Sequence, residues 1–203
     1  GDSSGKSNTT GISNVFIGLN AGQASTTTSS NIAIGRNAAF SNTGQHNTII
    51  GHNAAFSKAG GNNNTILGWQ AGRYISDGVT AITLSDNSIF LGYNTKALAS
   101  SQTNQIVIGY DAVGLGSDTT VLGNALTTLT ALYGSVITGG TSINASAQLQ
   151  VDSTTKGFLP PRMTSAQRTA IASPATGLIV YQTDSVIGLY VYSGGSWKSL
   201  TMV

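Results

Sequence analysis

A pattern of about nine residues recurs seven times between residues 14 and 125 and constrains the fold more than any other feature. In its three strongest copies, which begin at Asn14, Asn31 and Asn47, it reads Asn-x-x-Ile-Gly-x-Asn-Ala followed by Gly or Ala. The apolar residues that alternate before each glycine predict a short strand with side chains on both faces. The glycine permits a positive φ or a close approach of two backbones, so the chain can turn there. One strand and one turn in each copy predict the stacked coils of a β-solenoid. The central glycines are Gly18, Gly35, Gly51, Gly68, Gly92, Gly109 and Gly123, which are spaced 17, 16, 17, 24, 17 and 14 residues apart.

The two positions that directly follow each glycine carry further information. The second of them is nearly always an amide, and asparagine both bonds local backbone and tolerates the left-handed region, which predicts a structural ladder. This position holds Asn20, Asn37, Asn53, Gln70, Asn94 and Asp111. The first position tolerates Leu, Arg and Trp alike, so we expect it to point outward. It holds Leu19, Arg36, His52, Trp69, Tyr93, Tyr110 and Asn124.

The composition favours strands and tight turns over helices. Gly, Ser, Thr and Asn fill 93 of 203 positions, and all four are poor helix formers. Only 8% of the residues are charged, the net charge is +2, and the basic residues form no cluster, which excludes a nucleic-acid partner. Cysteine is absent, so disulfides and thiolate metal sites are excluded. No apolar run is long enough for membrane insertion.

The shortness of the coils predicts an oligomer. A coil of 16 or 17 residues has little interior, so a thin single-chain rod is expected to leave Ile and Phe exposed. Large exposed apolar patches usually mark an interface. A homotrimer about a long axis would bury these faces against one another, and symmetric oligomers are common.

The repeats over residues 11–124 resemble the head of trimeric autotransporter adhesins and the collar segments of phage tail fibres. In those families such repeats form a trimeric, parallel β-roll or β-prism. The resemblance therefore implies a trimer of parallel coils for this chain.

The C-terminal part resembles a different module. Residues 144–164, 173–181 and 195–200 are similar to a module of phage tail fibres and of other trimeric fibre proteins, including the mosaic adhesive trimers of predatory bacteria. From the residues themselves, Thr164 and Gln167 predict a capping box that opens a short helix over 165–172. Alternating apolar residues predict strands over 178–183, 189–192 and 197–200, separated by glycine turns.

These features together predict an all-β chain: a trimeric parallel β-roll or β-prism repeat shaft, followed by a small β-rich C-terminal knob with one short helix. The expected boundaries are 1–124 for the β-solenoid-like repeats, 125–143 for a neck, and 144–203 for the knob.

The expected function is that of an extracellular fibre, on a cell surface or as a virion tail fibre, that attaches to a cell-surface glycan or another host or prey receptor. The alternative is a purely structural trimeric spacer that displays another domain. Aromatic residues beside hydrogen-bonding neighbours are typical of recognition surfaces, although in the knob they could equally form its core. The candidate ligand-binding residues in the knob are Tyr192, Trp197, Tyr190, Arg162 and Lys198, and the alternative candidates on the repeats are Trp69, Tyr93 and Tyr110.

No catalytic constellation is visible, so we expect no enzyme, no cofactor and no metal site. Asp77 and Asp86 flank an apolar stretch and could form a carboxylate pair for glycoside hydrolysis. Because glutamate is absent and nothing else supports such a site, solubility of the loop is the preferred interpretation.

Overall fold

A computed structural model describes residues 1–57 and 60–200, and these form two compact units. The first unit is Gly1–Thr130 and the second begins at Ala131. The fold is nearly all β, as predicted. The described residues contain one helix, which is five residues long, and none of their helical structure has the length and apolarity needed to cross a bilayer.

The first unit is a β-solenoid built on one parallel sheet of seven three-residue strands, one from each predicted repeat. The strands of this sheet are β1 (Val15–Ile17), β2 (Ile32–Ile34), β3 (Thr48–Ile50), β4 (Thr65–Leu67), β6 (Ile89–Leu91), β8 (Ile106–Ile108) and β9 (Thr120–Leu122). A second, two-stranded parallel sheet pairs β5 (Ser85–Asp86) with β7 (Gln102–Thr103) beside it. Each coil therefore contributes the strand that its repeat predicts.

The middle residue of each strand points into the coil. The pairing registers Ala33 with Ile49, Ile49 with Ile66, and Ile66 with Phe90, and all four side chains are fully buried. The alanines that follow each turn, such as Ala54 and Ala71, close the other side of this core. The expectation that a thin coil leaves Ile and Phe exposed is thus wrong for the middle position. One large side chain fills the narrow interior of each coil because small residues line the opposite wall.

The repeat glycines stack on one another from coil to coil. Gly51 has a φ of +140°, and a Cβ at this position would lie 2.1 Å from the carbonyl oxygen of Gly68. Gly68 has the same relation to Gly92, also at 2.1 Å. Both proposed reasons for glycine, a positive φ and a close backbone approach, therefore apply at once.

The predicted outer amide ladder is present at the corner that follows the glycine. Its members have φ values of +50° to +58°, in the left-handed region that asparagine tolerates. The amide of Asn20 donates to the side-chain oxygen of Asn37 over 3.1 Å, and Asn37 donates to Asn53 over 2.9 Å. The ladder thus ties consecutive corners together.

The second unit contains two small sheets and the helix. In the first sheet β10 (Val136–Thr138) pairs in parallel with β11 (Leu149–Val151). The second sheet has the order β12 (Arg162–Met163), β13 (Ile179–Gln182), β14 (Gly188–Ser193) and β15 (Ser196–Ser199), with antiparallel hairpins after β13. Helix α1 (Ser165–Thr169) opens with the predicted capping box of Thr164 and Gln167, but it ends three residues earlier than the sequence suggested.

Candidate interaction surfaces

An exposed apolar surface lies on the outside of the seven-stranded sheet. The first and third residues of every strand point away from the core, because neighbours along a strand alternate between faces. Most of them are Ile, Val or Leu, and several are exposed. We call this surface the outer strand face, and its exposed apolar members are Val15, Ile17, Ile32, Leu67, Ile89 and Leu122. A row of exposed apolar side chains that recurs on successive strands is typical of a contact with another molecule.

An aromatic ladder borders the outer strand face, one position beyond the repeat glycine. The rings of Trp69 and Tyr93 stack with centroids 4.7 Å apart and planes 6° apart, and Tyr93 and Tyr110 stack at 5.0 Å and 12°. Their exposed fractions are 39%, 43% and 68%. The structure therefore brings all three alternative candidates together in one exposed row. The spacing follows from the separation of adjacent strands, which is close to the ideal distance for stacked rings.

The two ends of the aromatic ladder differ. Below Trp69, the ring of His52 makes an edge contact at 6.3 Å. Above Tyr110, the next coil places Asn124, whose amide donates to the backbone oxygen of Tyr110 over 2.7 Å. Because no ring follows Tyr110 in the ladder, its outer π face carries no aromatic partner among the described residues. The ladder thus offers exposed rings along its length, and the most exposed of the three, Tyr110, lies at its end.

An apolar hollow of about 470 Å³ lies at the last coil of the solenoid. Its walls include Val113, Leu115 and Leu126, and Asp111 contributes a charge. That carboxylate accepts a hydrogen bond from Asn94 and forms an ion pair with Lys96. The charge of Asp111 is therefore already engaged within the solenoid.

The aromatic candidates of the second unit lie under the helix. Tyr190 is only 8% exposed, and its hydroxyl donates to the backbone oxygen of Val186 over 3.2 Å. Tyr192 and Trp197 are half-buried and make an edge contact with centroids 5.4 Å apart. Three of the five knob candidates therefore share one face of the four-stranded sheet.

Arg168 of α1 contacts two of these aromatic residues. Its guanidinium lies 4.3 Å from the ring centroid of Tyr190 and 5.3 Å from that of Trp197. Its Nε donates to the side-chain oxygen of buried Gln182 over 2.8 Å. Cation–π contacts of this kind add stability when the cation is partly desolvated. The role could have been suspected from a single Arg on a short capped helix next to an aromatic hairpin.

The two cationic candidates lie on the opposite face of the same sheet. Arg162 pairs with Tyr181 and Lys198 pairs with Val191, and directly paired residues share a face. Both cations are exposed. The five knob candidates therefore form two groups rather than one site, and ligand binding by either group stays a prediction.

The two carboxylates considered for hydrolysis each have a local structural role. Asp77 accepts hydrogen bonds from the hydroxyl of Thr80 and from the backbone N–H groups of Val79 and Thr80, and these lower the pKa of its exposed carboxyl below the ordinary value of 3.8. Asp86 accepts from the backbone N–H of Asn62 over 2.7 Å. Among the described residues, no three His, Asp or Glu side chains are grouped as a metal site would require.

A buried asparagine ladder was missed in the sequence. Asn31, Asn47 and Asn64 precede their strands and are almost fully buried. The side-chain oxygen of each accepts a hydrogen bond of 2.9–3.0 Å from the backbone N–H at the same position of the next coil. The first Asn of the pattern, repeated in the first four copies, was the available indication, since a polar residue that recurs beside a buried strand needs internal partners.

One family model matches the C-terminal part of the chain. Residues 137–202 match the family model described as a phage tail like trimerisation region. The match confirms the predicted resemblance to trimeric phage tail fibres and supports assembly of the chain as a homotrimer, and the fold confirms the β-solenoid. Comparisons with curated proteins and with solved structures found no match.

Proposed function

We propose that the chain is a segment of an extracellular trimeric fibre that attaches to a cell surface by recognising a glycan. The trimerisation region supports the fibre, and the single observation that carries attachment is the exposed row of Trp69, Tyr93 and Tyr110. Aromatic rings offer a large rigid area at low entropic cost, with a polar group at the edge. The ring of Tyr110, which is 68% exposed at the end of the ladder, suits contact with the apolar face of a sugar.

Exposure favours the aromatic ladder over the knob as the contact. Tyr190 is buried, and Tyr192 and Trp197 are partly covered. These two remain the knob candidates because they flank the exposed turn at Gly194 and Gly195. Attachment through Tyr192 and Trp197 is therefore the second arm of the same test.

Trimeric assembly gives the proposed site its strength. We infer that the outer strand face, formed by the first and third residues of each strand, packs against other copies of the chain. The aromatic ladder then lies at the edge of that contact. Three ladders on one fibre would act together, so weak binding at each could give useful avidity.

The test is a glycan array followed by binding of the trimer to the best glycan. Tyr110→Ala and Tyr93→Ala are compared with Leu19→Ala, which occupies the same column without a ring. We expect at least tenfold weaker binding for the ring variants and no change for Leu19→Ala. If Tyr192→Ala and Trp197→Ala alone abolish binding while remaining trimeric, the site belongs to the knob. If the intact trimer binds no glycan and no cell, attachment is refuted.

A structural spacer is the second candidate function. It is favoured by the stacked glycines and the two amide ladders, which give the solenoid a continuous network of its own. The aromatic rings then serve to clamp neighbouring coils. In that case Tyr93→Ala would lower the melting temperature with no effect on any binding.

A further inference from the structure

One face of the four-stranded sheet of the second unit is open to solvent although its centre is apolar. Ile179 pairs with Val191 and Tyr181 pairs with Leu189, so these four side chains form one block. Ile179 and Leu189 are 45% and 37% exposed. We call this block, with its flanking residues Arg162 and Lys198, the open face.

The other face of the same sheet is already closed by the chain itself. Val180 and Tyr190 are buried there, and Gln182 is buried beneath Arg168 of α1. The helix is five residues long and occupies this side. The sheet therefore has one completed core and one apolar surface that nothing in the described part of its own unit completes.

We propose that the open face is a contact between copies of this chain, and that the occupant is the second copy in the trimer. The residues that match the trimerisation region include all four strands of this sheet. The open face therefore lies within the segment that resembles a region responsible for trimer assembly. Its layout also fits, because intersubunit surfaces combine an apolar centre with a polar rim and are enriched in Tyr and Arg. The proposal rests on the trimeric assembly of the proposed function and adds where in the knob the copies meet.

This placement gives two of the predicted binding residues a different role. Arg162 and Lys198 lie at the edges of the open face, on strands β12 and β15. At the rim of an intersubunit contact they keep their charges in water while their aliphatic stems cover apolar surface. They then position the partner copy rather than a glycan.

The test uses the absence of cysteine, since a single introduced thiol can be labelled without background. Leu189→Cys places a thiol at the centre of the open face, and Ala166→Cys places one on the exposed side of α1 as the matched control. Each full-length variant is first shown by light scattering to have three times the 20.6 kDa chain mass. Tyr181→Cys replaces Leu189→Cys if the latter does not assemble. A bulky maleimide then reports accessibility, and a short bis-maleimide reports whether two chains meet.

We expect the thiol at position 189 to react at least tenfold more slowly than the thiol at position 166, and to give cross-linked chains that the control does not give. Equal labelling in a stable trimer overturns the open face as a contact and leaves trimeric assembly standing. Protection without cross-linking means that another part of the same chain covers the face, which also overturns the proposal. A native chain that is monomeric overturns the assembly on which the proposal rests.

Discussion

Replacing the glycine at position 51 tests the physical basis of coil stacking most directly. In Gly51→Ala the new Cβ would lie 2.1 Å from the oxygen of Gly68, whereas ordinary contacts are 3.4 Å or longer. The neighbouring coils that contain Gly51 and Gly68 must therefore separate by more than 1 Å at this point. The ladder bond from the N–H of Gly68 to the oxygen of Ile50, now 2.9 Å, lies at this point and would break.

The expected loss in the free energy of unfolding has two parts. A positive φ of +140° at a residue with a Cβ costs about 1–3 kcal/mol. An unsatisfied buried backbone group adds about 1–3 kcal/mol. The sum of roughly 2–6 kcal/mol is a large share of a total that is typically about 5–15 kcal/mol. We expect the melting temperature of the solenoid to fall by about 10 °C or more at a fixed chain concentration.

Gly116→Ala is the matched control for this prediction. Gly116 also has a positive φ, of +115°, but the nearest atom to its Cβ would be Nε2 of Gln102 at a harmless 3.7 Å. The control carries backbone strain without the clash, so thermal and urea unfolding of the two variants separates the two costs. If Gly51→Ala is no less stable than Gly116→Ala, close stacking of the glycines is not what the coils require.

Three further outcomes are expected. Asn47→Ala removes a buried side chain that accepts a hydrogen bond from the N–H of Asn64. Urea unfolding should show that the free energy of unfolding falls by about 2–4 kcal/mol. The control Asn62→Ala, at an exposed position, should lower it by less than about 1 kcal/mol. Leu67→Asp on the outer strand face should shift the trimer towards smaller species in light scattering, whereas Leu98→Asp, equally exposed in a loop, should not. The carboxyl of Asp77 should titrate by NMR below 3.8, and Thr80→Val should raise that midpoint. Because this pKa is lowered on folding, the turn should be stabilised at neutral pH, and that contribution should be lost as the pH falls below 3.8 through the folded pKa.

The repeat architecture could be predicted because each of its determinants is local. The glycine, the following amide and the alternating apolar residues act within one turn of chain, and the structure places Gly51 and Asn53 in the conformations that these residue types favour. The capping box at Thr164 is local in the same sense. Its helix ends early because the residues after Thr169 form a turn, which the capping residues do not determine.

The core of the solenoid and its buried asparagines could not be predicted because their partners are distant. Asn47 donates to the oxygen of Gly61, 14 residues away, in a corner that carries no repeated motif. The burial of Ile66 depends on Gly72, whose Cβ would lie 3.1 Å from it. The sequence indicated that the small residues after the turn pack where space is tight. It did not indicate that they pack against the middle residue of the strand. The expectation that Ile and Phe would be exposed failed for this reason at the middle position of the strands, although it holds for outward residues such as Ile17.

In a stacked repeat, side chains at the same outward position of successive coils form a continuous row along the solenoid. Any outward position recurs at the strand spacing of about 4.8 Å, which is too close for neighbouring side chains to be independent. Trp69, Tyr93 and Tyr110 therefore act as one stacked surface, and the position that follows them decides where it ends. Because that position is Asn124 rather than a fourth ring, the stack ends at Tyr110, and the Asn124 amide bonds the backbone of Tyr110 and Leu126 instead. The first position after the repeat glycine therefore sets the length of the aromatic stack, which runs from Trp69 to Tyr110.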